Sequence, residues 1–142
     1  MPPDWTLINR GAMDTDTPTV VVVDNSPAIG KLFERSTHDL DINLVIHGTV
    51  GEAWKYLEHV KPALLFLSII LPDKNGLTLL KDLRKLKLHQ DTSVIMVSSK
   101  DYAQDRRVAS ELGVLDYIPK PMSMQTIKDV IVKYTRARVK SA

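Results

Sequence analysis

Polar side chains that could do chemistry occur in four segments, and each segment begins at the end of an apolar run. The segments are VDNSP (23–27), LSIILPDKNG (67–76), MVSSKD (96–101) and YIPKP (117–121). Among them, Asp24 supplies a carboxylate, Lys120 an ammonium group and Ser68 a hydroxyl. A serine becomes a nucleophile only beside a base, so Ser68 is either a candidate nucleophile or a polar filler at a strand end. The choice depends on which segments the fold brings together.

Five short apolar runs alternate with five helical patterns from Thr19 onward. β-branched residues and leucines dominate the runs, which are TVVVV (19–23), NLVIH (43–47), ALLFL (63–67), SVIMV (93–97) and VLDYI (114–118). The third run is continuously apolar, which is typical of a strand covered on both faces in a parallel sheet. Alternating strands and helices with short connections predict right-handed crossovers and helices on both faces of one sheet.

The compact solution at this length is an α/β fold of the flavodoxin-like (βα)5 type. It has a doubly wound parallel five-stranded sheet with strand order 2-1-3-4-5, whose switch point lies between strands one and three. Asp24 and Ser68 are therefore predicted to be neighbours in one crevice. Pro27 suits the first turn of the first helix, and Gly113 is a candidate left-handed cap at the end of the fourth.

The composition indicates a single domain of ordinary character. The chain has 142 residues, a formal net charge of +2 and no cysteine, which excludes a disulfide scaffold, a cysteine nucleophile and a thiolate zinc site. Charges of both signs are spread along the chain and argue against nucleic-acid or membrane binding. Without a signal peptide or a membrane span, a soluble cytoplasmic protein is expected. We predict a flexible N-terminal extension or an expression remnant over 1–18, a domain over 19–138 and a tail over 139–142.

The four polar segments, in this order and at this spacing, resemble those of response-regulator receiver domains, the CheY-like modules of two-component (phosphorelay) signalling. In that family the first strand ends in two acidic residues and the third in the phosphoacceptor aspartate. The fourth strand ends in Ser or Thr, and Lys-Pro follows the fifth. The resemblance covers residues 19 to about 138 and implies the same fold.

Compared with the family position by position, this chain lacks two of the three acidic residues that the resemblance implies. Asp24 matches the first acidic residue, but Asn25 stands at the second, whose carboxylate helps to hold magnesium in the family. Ser68 falls at the phosphoacceptor position, four residues before Pro72. The resemblance therefore implies a degenerate receiver.

By the same resemblance, the other residues that form the family's conformational switch are present in this chain. Ser98 matches the switch hydroxyl, Tyr117 the aromatic switch residue and Lys120 the family lysine, while the Lys120–Pro121 bond matches one that is cis in the family. Other roles are open to these residues, since a serine can be a turn hydroxyl and a tyrosine can be half-buried packing. Asp24 could likewise serve only to cap the following helix.

The two replacements predict that the phosphorylation chemistry is lost. An aspartate is anionic at neutral pH, whereas a serine hydroxyl is not. Magnesium prefers several oxygen ligands including carboxylates, and Asp24 alone does not supply them. We therefore predict no phosphorylation at Ser68, no metal and no cofactor. Lys120, with no second acid to compete for it, is predicted to pair with Asp24.

The resemblance implies a signalling module rather than an enzyme, acting through protein–protein interaction. The expected partner is a kinase, an output protein or a second receiver, bound at the face of helix four, strand five and helix five, and a homodimer through this face is a variant of the same idea. One alternative is a phosphorylatable regulator that uses Ser68 or another residue. Another is a small flavin- or nucleotide-binding protein, although DNSPAIG (24–30) is not a glycine-rich phosphate loop.

The remaining candidate groups carry no motif. The four histidines lack metal-ligand spacing and are predicted at the surface or rim, and they are His38, His47, His59 and His89. The basic segment RARVK (136–140) is predicted to be a solvated helix end rather than a nucleic-acid contact.

Overall fold

The computed structural model describes residues 17–140, which contain five strands and five α-helices in alternation. The strands are β1 Thr19–Val23, β2 Asn43–His47, β3 Leu64–Ser68, β4 Val94–Ser98 and β5 Asp116–Pro119. The helices are α1 Pro27–Thr37, α2 Val50–Leu57, α3 Gly76–Arg84, α4 Ala103–Glu111 and α5 Met124–Thr135, with a 3-10 turn at Lys87–His89. Most of the predicted N-terminal extension lies outside the described residues.

All five strands are parallel, and their order is 2-1-3-4-5, which confirms the predicted flavodoxin-like topology. In register, Val23 of β1 stands beside Leu67 of β3, so that Asp24 and Ser68 follow side by side. Ser98 of β4 pairs with Pro119 of β5, just before Lys120. The carboxyl ends of these strands therefore meet at one edge, as the topology requires.

Each face of the sheet is covered by helices, and the side chains of β1 alternate between two apolar cores. Val21 and Val23 belong to the core under α2, α3 and α4, whereas Val20 and Val22 belong to the core under α1 and α5. Every residue of β3 is buried, as the apolar run that ends at Leu67 predicts, and the burial includes Ser68. Within residues 17–140, no helix is long and apolar enough to cross a membrane.

The strand and helix ends differ from the prediction by small amounts. β3 and β4 each run one residue further than their apolar runs, so Ser68 and Ser98 are the last residues of strands. The N-cap of α1 is Ser26, whose hydroxyl accepts the N–H of Ile29, with Pro27 at the first helical position as predicted. Gly113 has a φ of 76°, which confirms the left-handed conformation after α4.

The segment 136–140 is largely exposed, as predicted, but the prediction that it is the end of a helix is wrong. α5 ends at Thr135, its C-cap Arg136 has a left-handed φ of 59°, and the chain then turns back to the loop before β2. The N–H of Asp41 donates to the carbonyl of Arg138 at 2.7 Å, and the N–H of Lys140 donates to the carbonyl of Asp39 at 2.7 Å. Backbone pairing therefore fixes this segment, which side-chain polarity did not indicate.

His89 is fully buried, so its predicted place at the surface is wrong. Its Nε2 contacts the carbonyl of Leu57, and its Nδ1 lies 2.8 Å from the hydroxyl of Thr92. Because a carbonyl only accepts, Nε2 carries the proton and Nδ1 accepts from Thr92. Burial lowers the pKa of His89, and the positive charges of Lys61 and Arg84 act in the same direction. The ring is a neutral connector between the end of α2 and the 3-10 turn.

Candidate functional site

The crevice at the carboxyl edge of the sheet brings together Asp24, Ser68 and Lys120 from the ends of β1, β3 and β5. Lys120 Nζ lies 2.6 Å from Asp24 Oδ2 and 3.5 Å from Ser68 Oγ. The Asp24 side chain is 6% exposed and the Lys120 side chain 21%, so the ion pair is largely shielded from water. The predicted pairing of Asp24 with Lys120 is therefore present.

Asp24 uses its second carboxylate oxygen locally. Oδ1 accepts the N–H of Ser26 at 2.8 Å, which shapes the turn into α1 and places Ser26 as the N-cap. Asp24 therefore supports the start of the helix and binds Lys120 at the same time. Both carboxylate oxygens accept a hydrogen bond, and a carboxylate is in any case a poor proton acceptor from a serine hydroxyl.

Ser68 is 3% exposed and is held by hydrogen bonds on both sides. Its hydroxyl donates to the carbonyl of Ile70 at 3.4 Å and accepts from Lys120 at 3.5 Å. An ammonium group that donates to a carboxylate is not a proton acceptor, so Lys120 does not activate the hydroxyl. The arrangement suits a polar filler at the strand end and does not suit a nucleophile.

The residues of the crevice do not fit the magnesium ion that the receiver resemblance implies. Asn25 is exposed, and its side-chain amide donates to the carbonyl of Gly48 at 3.3 Å. Between residues 17 and 140 no group of three or more histidine, cysteine, aspartate or glutamate side chains is placed to hold a metal. One carboxylate, already neutralised by an ammonium group, is a poor site for a hard dication.

Ser98 and Tyr117 lie on the β4–β5 side of the crevice. Ser98 Oγ accepts the N–H of Lys100 at 3.1 Å, which is the turn role open to it from the sequence. Tyr117 is 9% exposed, so it is buried and not half-buried, the alternative that the sequence left open. Its hydroxyl donates to the carbonyl of Lys100 at 3.2 Å, and burial raises the pKa of the phenol.

Arg106 covers Tyr117 from the solvent side and was not identified from the sequence. Its guanidinium carbon lies 4.5 Å from the centre of the tyrosine ring, which is the geometry of a cation–π contact. The guanidinium group also forms a salt bridge with Asp101. Nothing in the spacing of Arg106 and Tyr117 along the chain pointed to this stacking.

The Lys120–Pro121 peptide bond is cis, as the resemblance implies. The backbone N–H of Lys120 donates to the carbonyl of Ser98 at 2.8 Å. This hydrogen bond continues the pairing of β4 with β5 and aims the side chain of Lys120 along the crevice towards Asp24.

The loop after Ser68 contains a second polar residue that the sequence did not single out. Asp73 accepts the N–H of Val50 at 2.9 Å and the N–H of Gly51 at 3.0 Å. These two hydrogen bonds lower the pKa of the Asp73 carboxyl, and they tie the start of α2 to the loop of the crevice. The only hint in the sequence was an acidic residue among turn formers.

We expect Lys120→Ala to lower the free energy of unfolding by about 2 kcal/mol, because it leaves Asp24 buried without its cation. Urea unfolding followed by circular dichroism measures this. Lys81→Ala, at an exposed lysine of α3, is the matched control and should change stability by less than about 0.5 kcal/mol. Equal effects of the two substitutions would show that the ion pair does not stabilise the fold.

Comparison with known proteins identifies a family. The family model described as "Response regulator receiver domain" matches residues 20–132. The transcriptional regulatory protein BaeR of Escherichia coli is 30% identical over 117 residues, which are 81% of this chain and 47% of that protein. The alkaline phosphatase synthesis transcriptional regulatory protein PhoP of Bacillus subtilis is 31% identical, covering 76% of this chain and 44% of that protein. The chain thus spans about half the length of these relatives.

Solved structures agree on the fold. A CheY-like receiver domain protein from Methanospirillum hungatei has a TM-score of 0.77 and 23% identity, over 84% of this chain and 94% of that chain. The phosphorylated cyanobacterial phytochrome response regulator RcpA has a TM-score of 0.78 and 20% identity, over 88% of this chain and 99% of that chain. At these identities the likeness establishes the fold alone.

Proposed function

This chain belongs to the response regulator receiver domain family, and from that premise we propose that it is a pseudo-receiver, which signals through protein–protein interaction without phosphorylation at the usual position. The observation that carries the proposal is the state of Ser68. The hydroxyl is 3% exposed, it donates to the carbonyl of Ile70 and accepts from the ammonium group of Lys120, and that ammonium group also binds the Asp24 carboxylate. A group in this setting does not accept a phosphoryl group from a small donor.

The proposal also explains how the domain keeps one conformation without a phosphoryl group. The Asp24–Lys120 ion pair lies in the crevice where the family has two further carboxylates. On the neighbouring side, Arg106 stacks on Tyr117 and keeps the ring buried against the carbonyl of Lys100. These fixed contacts thus favour one conformation of the domain. In other proteins with two conformations, a bound ligand shifts the equilibrium towards one of them.

The surface of α4, β5 and α5 is the proposed binding face. α4 buries only Ala109, and Tyr102 at its start is 56% exposed. Arg106 and Arg107 are also exposed on this helix. Large aromatic and arginine side chains on a loosely packed helix are typical of interface residues. The proposed partner is a cytoplasmic protein, either a kinase, an output protein or a second receiver, and analytical ultracentrifugation separates the homodimer from the others.

The test of the proposal is phosphorylation. After incubation with acetyl phosphate and magnesium, we expect the intact mass of the protein to stay unchanged. Ser68→Ala serves as the control for the site, and it should behave like the unmodified chain. A gain of one phosphoryl group that Ser68→Ala abolishes would overturn the proposal. A gain that Ser68→Ala retains would place the phosphoryl group on another residue, and would favour the alternative of a phosphorylatable regulator over the pseudo-receiver.

A further inference from the structure

A second surface feature lies away from the α4–β5–α5 face, between α2 and the loop that leads into α3. It is a cavity of about 210 Å³. Its apolar lining consists of the buried or half-buried side chains of Val50, Trp54 and Leu79. Its polar lining consists of Asp73 and Lys74 from the loop and Asp82 from α3. Pockets for small molecules measure roughly 300 to 1,000 Å³, so this one suits a single side chain rather than a cofactor.

The cavity is preformed, because both of its walls are fixed. Asp73 binds the N–H groups of Val50 and Gly51 and so joins the loop to the first turn of α2. Trp54 packs against the core that lies under α2 and α3, while Leu79 is 1% exposed. A preformed pocket binds a guest without the cost of ordering its own walls.

The chemistry of the lining favours a cation with an apolar stem. Two carboxylates face one ammonium group, that of Lys74, so the lining has an excess of negative charge. Asp82 forms a salt bridge with Lys85 at 3.8 Å between exposed side chains, which is a weak pair that leaves the carboxylate available. The face of an indole ring attracts a cationic guanidinium group more strongly than it attracts a neutral group. Arginine combines a guanidinium group with an apolar stem.

We propose that this cavity binds an arginine side chain of a partner protein, with the guanidinium group against Trp54 and Asp82 and the stem along the apolar wall. The site is separate from the crevice and from the proposed α4–β5–α5 face, so it stands or falls independently of the pseudo-receiver function. Through Asp73 and Lys74 it adjoins the loop that follows Ser68.

The test uses the full chain carrying Trp5→Phe, so that Trp54 is the sole tryptophan and reports on the cavity. N-acetyl-arginine amide is titrated while indole emission is followed, with N-acetyl-citrulline amide in matching sodium chloride as the neutral control. We expect saturable quenching by the arginine derivative in the millimolar range and none by citrulline. Asp82→Asn should raise the half-saturation concentration about fivefold to tenfold, and Asp82→Lys should abolish the response.

Asp129→Asn, at an exposed acid on α5, is the matched control and should leave the titration unchanged. Equal quenching by the arginine and citrulline derivatives would overturn the proposal, as would equal effects of Asp82→Asn and Asp129→Asn. Quenching that Asp82→Lys leaves intact would also overturn it, because the guanidinium group would then be binding elsewhere.

Discussion

Replacing Ser68 and Asn25 together by aspartate is expected to give the domain a magnesium site. The double variant would place three carboxylates, including Asp24, around one crevice that also holds Lys120. Carboxylates are the ligands that magnesium requires, and their mutual repulsion without metal makes the metal-bound form the favoured one. With a dissociation constant near 1 mM, 10 mM magnesium would stabilise the variant by about 1.4 kcal/mol.

This stabilisation corresponds to a rise in melting temperature of about 5 °C for a domain of this size, which differential scanning calorimetry resolves. Magnesium should leave the melting temperature of the natural sequence unchanged. The control is Ser68→Asn with Asn25→Asp, which has nearly the same shape as the double variant but one carboxylate fewer, and it should respond less. The double variant should also gain one phosphoryl group from acetyl phosphate. If it shows neither response, the loops of the crevice have diverged beyond their acidic residues.

Gly76→Ala is expected to lower the free energy of unfolding by about 3 kcal/mol, and the melting temperature by about 10 °C. A Cβ atom on Gly76 would stand 2.0 Å from the carbonyl oxygen of Ser68 and 2.9 Å from its carbonyl carbon. These are backbone atoms at the buried end of β3, and they cannot rotate away as a side chain can. The N–H of Gly76 also donates to the carbonyl of Ile69 at 2.7 Å, so relief of the clash would break this hydrogen bond.

Gly51→Ala is the matched control for this prediction. The nearest atom to a Cβ on Gly51 is a side-chain oxygen of Asp73 at 3.6 Å, which is an ordinary contact. Because Gly51 lies in the first turn of α2 and alanine favours helices, this substitution should be neutral or stabilising by up to about 1 kcal/mol. Urea unfolding of both variants measures the difference. A Gly76→Ala variant as stable as Gly51→Ala would mean that the loop after β3 shifts at little cost.

The sequence by itself determined the order of the strands and the location of the crevice. Uninterrupted apolar runs such as the one ending at Leu67 are stable only between two layers of helices, so alternating strands and helices leave few arrangements. In the doubly wound order, the ends of β1 and β3 are adjacent whatever their side chains are. The pairing of Asp24 with Lys120 followed, because opposite charges in one enclosed crevice attract each other.

The tertiary structure alone decided which polar residues make contacts between distant segments of the chain. His89 looked like an exposed histidine, yet the carbonyl of Leu57 and the hydroxyl of Thr92 satisfy its ring in the interior. Asp73 caps a helix that precedes it by more than twenty residues, and Arg106 stacks on a ring from the next strand. Periodicity records only which side chains face the core. These contacts depend instead on where long side chains and orphan backbone groups from distant segments meet, which is set when the layers pack.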